Sequence, residues 1–221
     1  MKLTYECVAV FILSWLLAAV SGEIDNEGES GQVVDGPSPV RVTVYFEALC
    51  PDSRRLFRKQ LGPTYRQLRD IMQLEYVPFG KAVATPRLSN GRITIDFECQ
   101  HGPRECLGNR IMSCAENLLS VTDQHSLFMC IMTASYPVAA AEQCSKDLNI
   151  DWSTIQRCTK SRLGAVLLYM NGRKTATLRP HLYYVPTITI NGKYSRATLP
   201  RSTSALKRQI CEAYRADHPN C

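Results

Sequence analysis

Beyond its first 22 residues the 221-residue chain has no apolar run that approaches the roughly 20 residues needed to cross a bilayer. No integral membrane segment is therefore expected in the rest of it. It has no Asn-x-Ser/Thr sequon, which excludes N-linked glycans. It has no internal repeats, so it is not a repeat array. Its Lys and Arg residues form no basic patch, which argues against a nucleic-acid partner. Its cysteines lack the close pairs of common zinc modules: the spacing Cys99-x6-Cys106-x7-Cys114 points to disulfides well before metal, and no metal site is expected.

What is present starts with a secretory pattern. Lys2 is the charged end, Val8 to Val20 is a short apolar run, and Ala19-Val20-Ser21-Gly22 offers a small-residue cleavage site. Residues 1–22 therefore read as a signal peptide rather than an anchor. Residues 23–38 are acidic and turn-rich and read as a disordered leader. The folded part is expected over 39–221. It holds 25 of the 26 Lys and Arg and 14 of the 20 Asp and Glu, a net charge of about +11 that suits acidic partners or surfaces. About 180 residues suffice for one domain with a sizeable insertion. No residue pattern specifies an oligomeric state.

The chain is organised around Val42-Thr43-Val44-Tyr45-Phe46-Glu47-Ala48-Leu49-Cys50-Pro51-Asp52-Ser53. Its first half is β-branched and aromatic, which predicts a strand over 42–47. Behind the Cys-x-x-Ser turn, apolar residues recur at Leu56, Phe57, Leu61, Tyr65, Leu68 and Ile71, the spacing of a helix over 54–70. This order puts a thiol at a helix N-terminus, where free N–H groups and the helix dipole favour thiolate. Pro51 suits the first helical turn.

Met72 to Phe79 reads as a second strand, 80–91 as a loop, and Arg92 to Phe97 as a short third strand. From Cys99 to about Leu168 six cysteines accompany helical patterns, the mark of a disulfide-stapled helical insertion in an α/β domain. Strand character returns at 183–194, where Asn191-Gly192 is a two-residue hairpin signal. A last helix is expected over 202–214, capped by Ser202 or Thr203, with Ala205, Leu206, Ile210 and Cys211 inward.

The cysteine at the start of the first helix, the later Val185-Pro186 and the Asn-Gly hairpin together resemble the thioredoxin fold. The resemblance implies a cis Val185–Pro186 bond facing Cys50, although an ordinary strand start is the other reading of Pro186. A second motif is more specific. The run Cys99-Gln100-His101-Gly102-Pro103-Arg104-Glu105-Cys106-Leu107-Gly108-Asn109-Arg110-Ile111-Met112-Ser113-Cys114 resembles the signature Cys-Gln-His-Gly-x2-Glu-Cys-x2-Asn-x4-Cys of the gamma-interferon-inducible lysosomal thiol reductase family, with every fixed position in place. The likeness extends through Tyr45-x-Glu47-Ala48-Leu49-Cys50, Tyr184-Val185-Pro186 and the terminal Cys211 and Cys221. It implies an α/β thioredoxin-like fold with a helical insertion, and reduction of disulfide-containing proteins in acidic compartments.

Two departures matter. Family members with full reductase chemistry carry Cys-x-x-Cys, and here Ser53 takes the second position. Relatives reach lysosomes through glycans that this chain cannot carry, so secretion is the expected destination, with the lysosome as the alternative.

Ten cysteines, one of them Cys7 in the signal, leave an odd nine. The odd one out is Cys50, as a catalytic nucleophile with Pro51, Asp52 and Ser53 around it. Cys99, Cys106, Cys114, Cys130, Cys144, Cys158, Cys211 and Cys221 are expected in disulfides. Eight cysteines allow 105 connectivities, and only Cys211 with Cys221 is paired here. Cys50 would attack a substrate disulfide, but a serine oxygen cannot resolve the mixed disulfide. An external thiol such as glutathione or cysteine would do so, and no bound cofactor is expected. A substrate thiol in that role would make the protein an isomerase. The alternative is a redox-weak binding module that keeps the groove and has lost turnover.

Val185 and Pro186, with Tyr183 and Tyr184, are expected to line a substrate groove, plain sheet packing being the other reading of the tyrosines. His101 and Glu105 read as a structural turn and first helical turn rather than an acid/base pair. His181 is a minor candidate for steadying the thiolate. The basic residues at 54, 55, 58 and 59 read as a solvated helix face.

Overall fold

A computed structural model describes residues 37–89, 91–195 and 205–221. The signal expected at 1–22, all but the end of the leader, and the caps Ser202 and Thr203 lie outside the described residues.

Strand β1 (Val40–Phe46) is the centre of a four-stranded sheet. It pairs in parallel with β2 (Met72–Pro78) and antiparallel with β5 (Thr187–Ile190), and β5 pairs with β6 (Lys193–Tyr194). All of β1 except Arg41 is buried, as expected of a strand with neighbours on both sides and helices on its faces. The parallel β1–β2 pair requires a crossover, and a helix supplies it. That helix begins at α1 (Pro51–Leu56), passes through a π turn (Phe57–Leu61) and ends in α2 (Gly62–Leu68). It starts three residues before the expected boundary because Pro51 fills its first position. The π turn precedes Pro63, which has no N–H for the helical ladder. Leu56, Phe57, Leu61, Tyr65, Leu68 and Ile71 are all buried, as their spacing predicts.

The segment expected as a loop over 80–91 is corrected to a strand. β3 (Val83–Ser89) pairs antiparallel with β4 (Arg92–Glu98) in a separate two-stranded sheet. Pro86 and the largely exposed residues hide the alternation of a half-buried strand. Asn90-Gly91 between the two runs is the same two-residue signal read correctly at Asn191-Gly192. At that second hairpin Asn191 and Gly192 both have positive φ, 50° and 79°, as a type I′ turn demands.

Between β4 and β5 come α3 (Pro103–Leu118), α4 (Val121–Thr133), α5 (Pro137–Asp147), α6 (Trp152–Lys160) and α7 (Arg162–Ala176). The helices run past the expected boundary near 168, to Ala176. Three disulfides hold this region: Cys99–Cys106 before and within α3, Cys114–Cys158 from α3 to α6, and Cys130–Cys144 from α4 to α5. The insertion shares its core with the sheet. Phe46 of β1, Phe57 of the π turn, Tyr76 of β2 and Phe128 of α4 form one aromatic cluster with ring centroids 4.9–6.3 Å apart. The last helix, α8 (Ala205–Tyr214), buries Ala205, Leu206 and Ile210 and is tied to the C-terminus by Cys211–Cys221.

Candidate active site

Four residues past β1, Cys50 takes the N-cap position of α1 with extended backbone (φ −61°, ψ 122°). It is the one free cysteine among the described residues, and it is 6% exposed. Its thiol faces Val185, with Sγ 3.8 Å from the Val185 carbonyl oxygen. The Val185–Pro186 bond is cis, and so is Arg179–Pro180. The two distant ends of the fold thus meet at the thiol.

The Cys-x-x-Ser motif divides by exposure. Pro51 and Asp52 are exposed, while Ser53 is fully buried. The Ser53 hydroxyl accepts the Glu47 amide N–H at 3.3 Å, so this oxygen ties the end of the strand to the helix. Tyr183 and Tyr184 are 69% and 40% exposed, which corrects sheet packing as a reading of them. They are surface residues of the segment that leads into β5. His181 is exposed in the same segment, and the contact made by Cys50 Sγ is to Val185.

Helix α3 supports the turn from the other side. Asn109 Oδ1 accepts the Ala48 N–H at 2.9 Å, and Glu105 Oε2 accepts the Leu49 N–H at 3.3 Å. Glu105 and Asn109 lie one helical turn apart, so they reach two consecutive amides of the extended chain. Gly108 lets the helix come this close, because a Cβ there would stand 2.6 Å from the Ala48 Cβ. The signature residues therefore hold the approach to Cys50. Their spacing could be read in the sequence, but their target 56 to 61 residues away could not. His101 closes the cluster. Its Nδ1 is 2.6 Å from Glu105 Oε2 and 3.5 Å from Glu47 Oε2. Glu47 is fully buried, and desolvation pushes its carboxyl above the usual range even though the Lys81 N–H donates to it at 2.8 Å.

Of the basic residues on the first helix, Arg54 alone departs from a solvated face. Arg54 is half-buried, and its guanidinium donates to the carbonyls of Met132 and Ala134, while Arg58 reaches that of Thr133. These arginines close the last turn of α4, where carbonyls lack helical partners. Arg55, Arg58 and Lys59 are exposed, as a solvated face requires. Beside Leu49 and Arg54 a cleft of about 370 Å³ opens between His101, Arg104, Tyr136 and Val138.

A buried free thiol at a strand–helix junction, set against a cis-proline segment in a four-stranded sheet, defines a thiol–disulfide oxidoreductase of thioredoxin-like fold. Solved structures of that fold superpose on it. A thioredoxin-like oxidoreductase from Silicibacter pomeroyi matches with a TM-score of 0.56 at 14% identity, over 82% of this chain and 90% of that one. The DsbG disulfide oxidoreductase of Mycobacterium tuberculosis matches with a TM-score of 0.55 at 18% identity, over 82% and 81%. Residues 41–148 match the family model described as gamma interferon inducible lysosomal thiol reductase. A protein of that name from Carassius auratus is 35% identical over 184 residues, 82% of this chain and 71% of the relative. GILT-like protein 1 of Drosophila melanogaster is 33% identical over 196 residues, 81% of this chain and 77% of the relative. The chain belongs to the gamma interferon inducible lysosomal thiol reductase family.

Proposed function

We propose that Cys50 works as a monothiol nucleophile on disulfides of other proteins. The observation that carries this reading is the buried Ser53 hydroxyl where a dithiol enzyme of the family has its resolving sulfur, next to the one free thiol among the described residues. Cys50 thiolate attacks one sulfur of a substrate disulfide. A Cys50–substrate disulfide forms, the substrate bond breaks, and the second substrate sulfur leaves as a thiolate. A low-molecular-weight thiol, such as glutathione or cysteine, then attacks the mixed disulfide, becomes joined to the substrate sulfur and frees Cys50. Further exchange with a second small thiol releases the reduced substrate. The substrate strand lies along Val185 and Pro186, with Tyr183 and Tyr184 as its exposed walls. The sequence pattern at 1–22 favours secretion, with the lysosome as the alternative.

Reduction of a disulfide-bonded protein substrate in the presence of added glutathione tests the proposal. Cys50→Ala is expected to remove the catalysed rate. Without a small thiol, the native protein is expected to accumulate a mixed disulfide. Full activity in Cys50→Ala overturns the reading.

The burial of Ser53 also favours a second reading, a binding module or isomerase that holds partners without net reduction. Ser53→Cys separates the two. A large gain in turnover marks a competent scaffold lacking only its resolving step, and no gain marks the binding module.

A further inference from the structure

We propose that Glu47, His101 and Glu105 form a divalent-metal site, best matched to zinc. Glu47 follows β1, while His101 and Glu105 flank the start of α3. One donor atom from each lies within 4.8 Å of the others. Both carboxylate side chains are fully buried, and Glu47 Oε2 has no hydrogen-bond partner although it faces His101 Nδ1 at 3.5 Å. A lone proton on Nδ1 serves Glu105 well, at 2.6 Å, and leaves the Glu47 oxygen unanswered. A divalent ion in place of that proton reaches both.

Two of the three donor separations can be set against those of a zinc site. In a tetrahedral zinc site with bonds of about 2.0–2.2 Å, neighbouring donors stand about 3.4 Å apart. Glu47 and His101 already have that separation, and His101 and Glu105 reach it by opening about 0.8 Å. His101 has room for this adjustment, since its side chain is 38% exposed. One imidazole and two carboxylates suit zinc. Calcium and magnesium ask for six or more oxygens. No cysteine takes part, which is why the cysteine spacings carry no sign of the site. Glu105 Oε2 also accepts the Leu49 N–H, so a bound ion would stiffen the residue next to the nucleophile.

The test uses the full chain carrying Cys50→Ser, so that no free thiol competes, with its disulfides intact. Calorimetric titration with zinc chloride in buffers of different ionisation enthalpy is expected to show one ion per chain and proton release. Cobalt is expected to give ligand-field absorption without a thiolate charge-transfer band. Glu47→Gln and His101→Ala, each added to that variant, are expected to weaken binding more than about tenfold. Circular dichroism verifies their folding. The Cys50→Ser chain carries a readout of its own, since zinc must shift the His101 imidazole resonances. No saturable binding, unmoved His101 resonances, or undiminished affinity in a folded Glu47→Gln variant would each overturn the site.

Discussion

The side-chain carbonyl of Asn109 accepts the Ala48 amide N–H at 2.9 Å, with Asn109 and Ala48 both fully buried. Removing a buried acceptor strands its donor at a cost of about 1–3 kcal/mol. Asn109→Ala is therefore expected to lower unfolding free energy by about that amount. It should also change the alkylation rate of Cys50, two residues beyond Ala48. Denaturant unfolding and timed iodoacetamide labelling measure the two effects. An unchanged labelling rate in a destabilised protein would show that the bond supports the fold alone.

Gly108→Ala tests the close approach of α3 to the same turn. The new methyl would meet the Ala48 Cβ at 2.6 Å and Val138 Cγ2 at 3.0 Å. Overpacking of this kind costs about 1–3 kcal/mol, outweighing the helix-propensity gain of roughly 1 kcal/mol that alanine brings. Net destabilisation is expected in thermal melts, and a stabilised variant would contradict the packing described.

His125 predicts an acid-sensitive fold. It is buried, stacks on Tyr65 with centroids 3.8 Å apart, and has Nδ1 2.7 Å from the Tyr76 hydroxyl oxygen. Burial, aided by Arg66, lowers its pKa from 6.5 to about 4. The folded state thus prefers the neutral ring, and between these values the unfolded chain binds more protons. The contribution is full above pH 6.5 and declines as pH falls towards about 4, by on the order of 2 kcal/mol. His125→Gln is expected to flatten that limb of the stability–pH curve.

Glu116 acts in the opposite direction. Burial raises its carboxyl to about 7, against the lowering effect of the Asn171 side chain, which donates to it at 3.0 Å. The protonated form suits the fold, so its contribution is present at low pH and is lost as pH rises from 4.5 through about 7. Glu116→Gln is expected to be more stable than the parent at pH 8, by up to about 3 kcal/mol, and little different at pH 4. Equal destabilisation at both values would contradict this assignment.

The features legible in the sequence were those with local physical causes. The β-branched and aromatic run of β1, the apolar spacing behind Cys50 and the Asn191-Gly192 turn all act within a few residues, and each appears where the pattern places it. The role of Cys50 as the odd sulfur followed from counting. What could not be read was contact between distant segments. Nothing near Glu105 says that its carboxylate takes the Leu49 N–H, and nothing near Arg54 says that it caps the end of α4. The missed strand β3 is a different case, because Asn90-Gly91 was a local signal, outweighed by Pro86 and the exposed residues around it.

The cysteine pairs give one more expected outcome. Cys114–Cys158 closes a span of 44 residues and Cys130–Cys144 one of 14. In the loop-entropy description, removing the first pair costs about 4 kcal/mol and the second about 3 kcal/mol. Paired alanine substitutions followed by denaturant unfolding give the comparison. Mild reduction without denaturant is expected to loosen the helices between β4 and β5 first, as read by hydrogen exchange.

The support of the Leu49 and Ala48 amides by Glu105 and Asn109 has a consequence for the order of events during synthesis. After Cys7, Cys50 is the next cysteine along the chain, so it is synthesised ahead of the eight that end in bridges. Until α3 has been made and has docked, the turn carrying this thiol lacks the support of Glu105 and Asn109 while the later sulfurs are being added. Keeping Cys50 reduced is then a race between docking of the signature helix and capture by a neighbouring thiol.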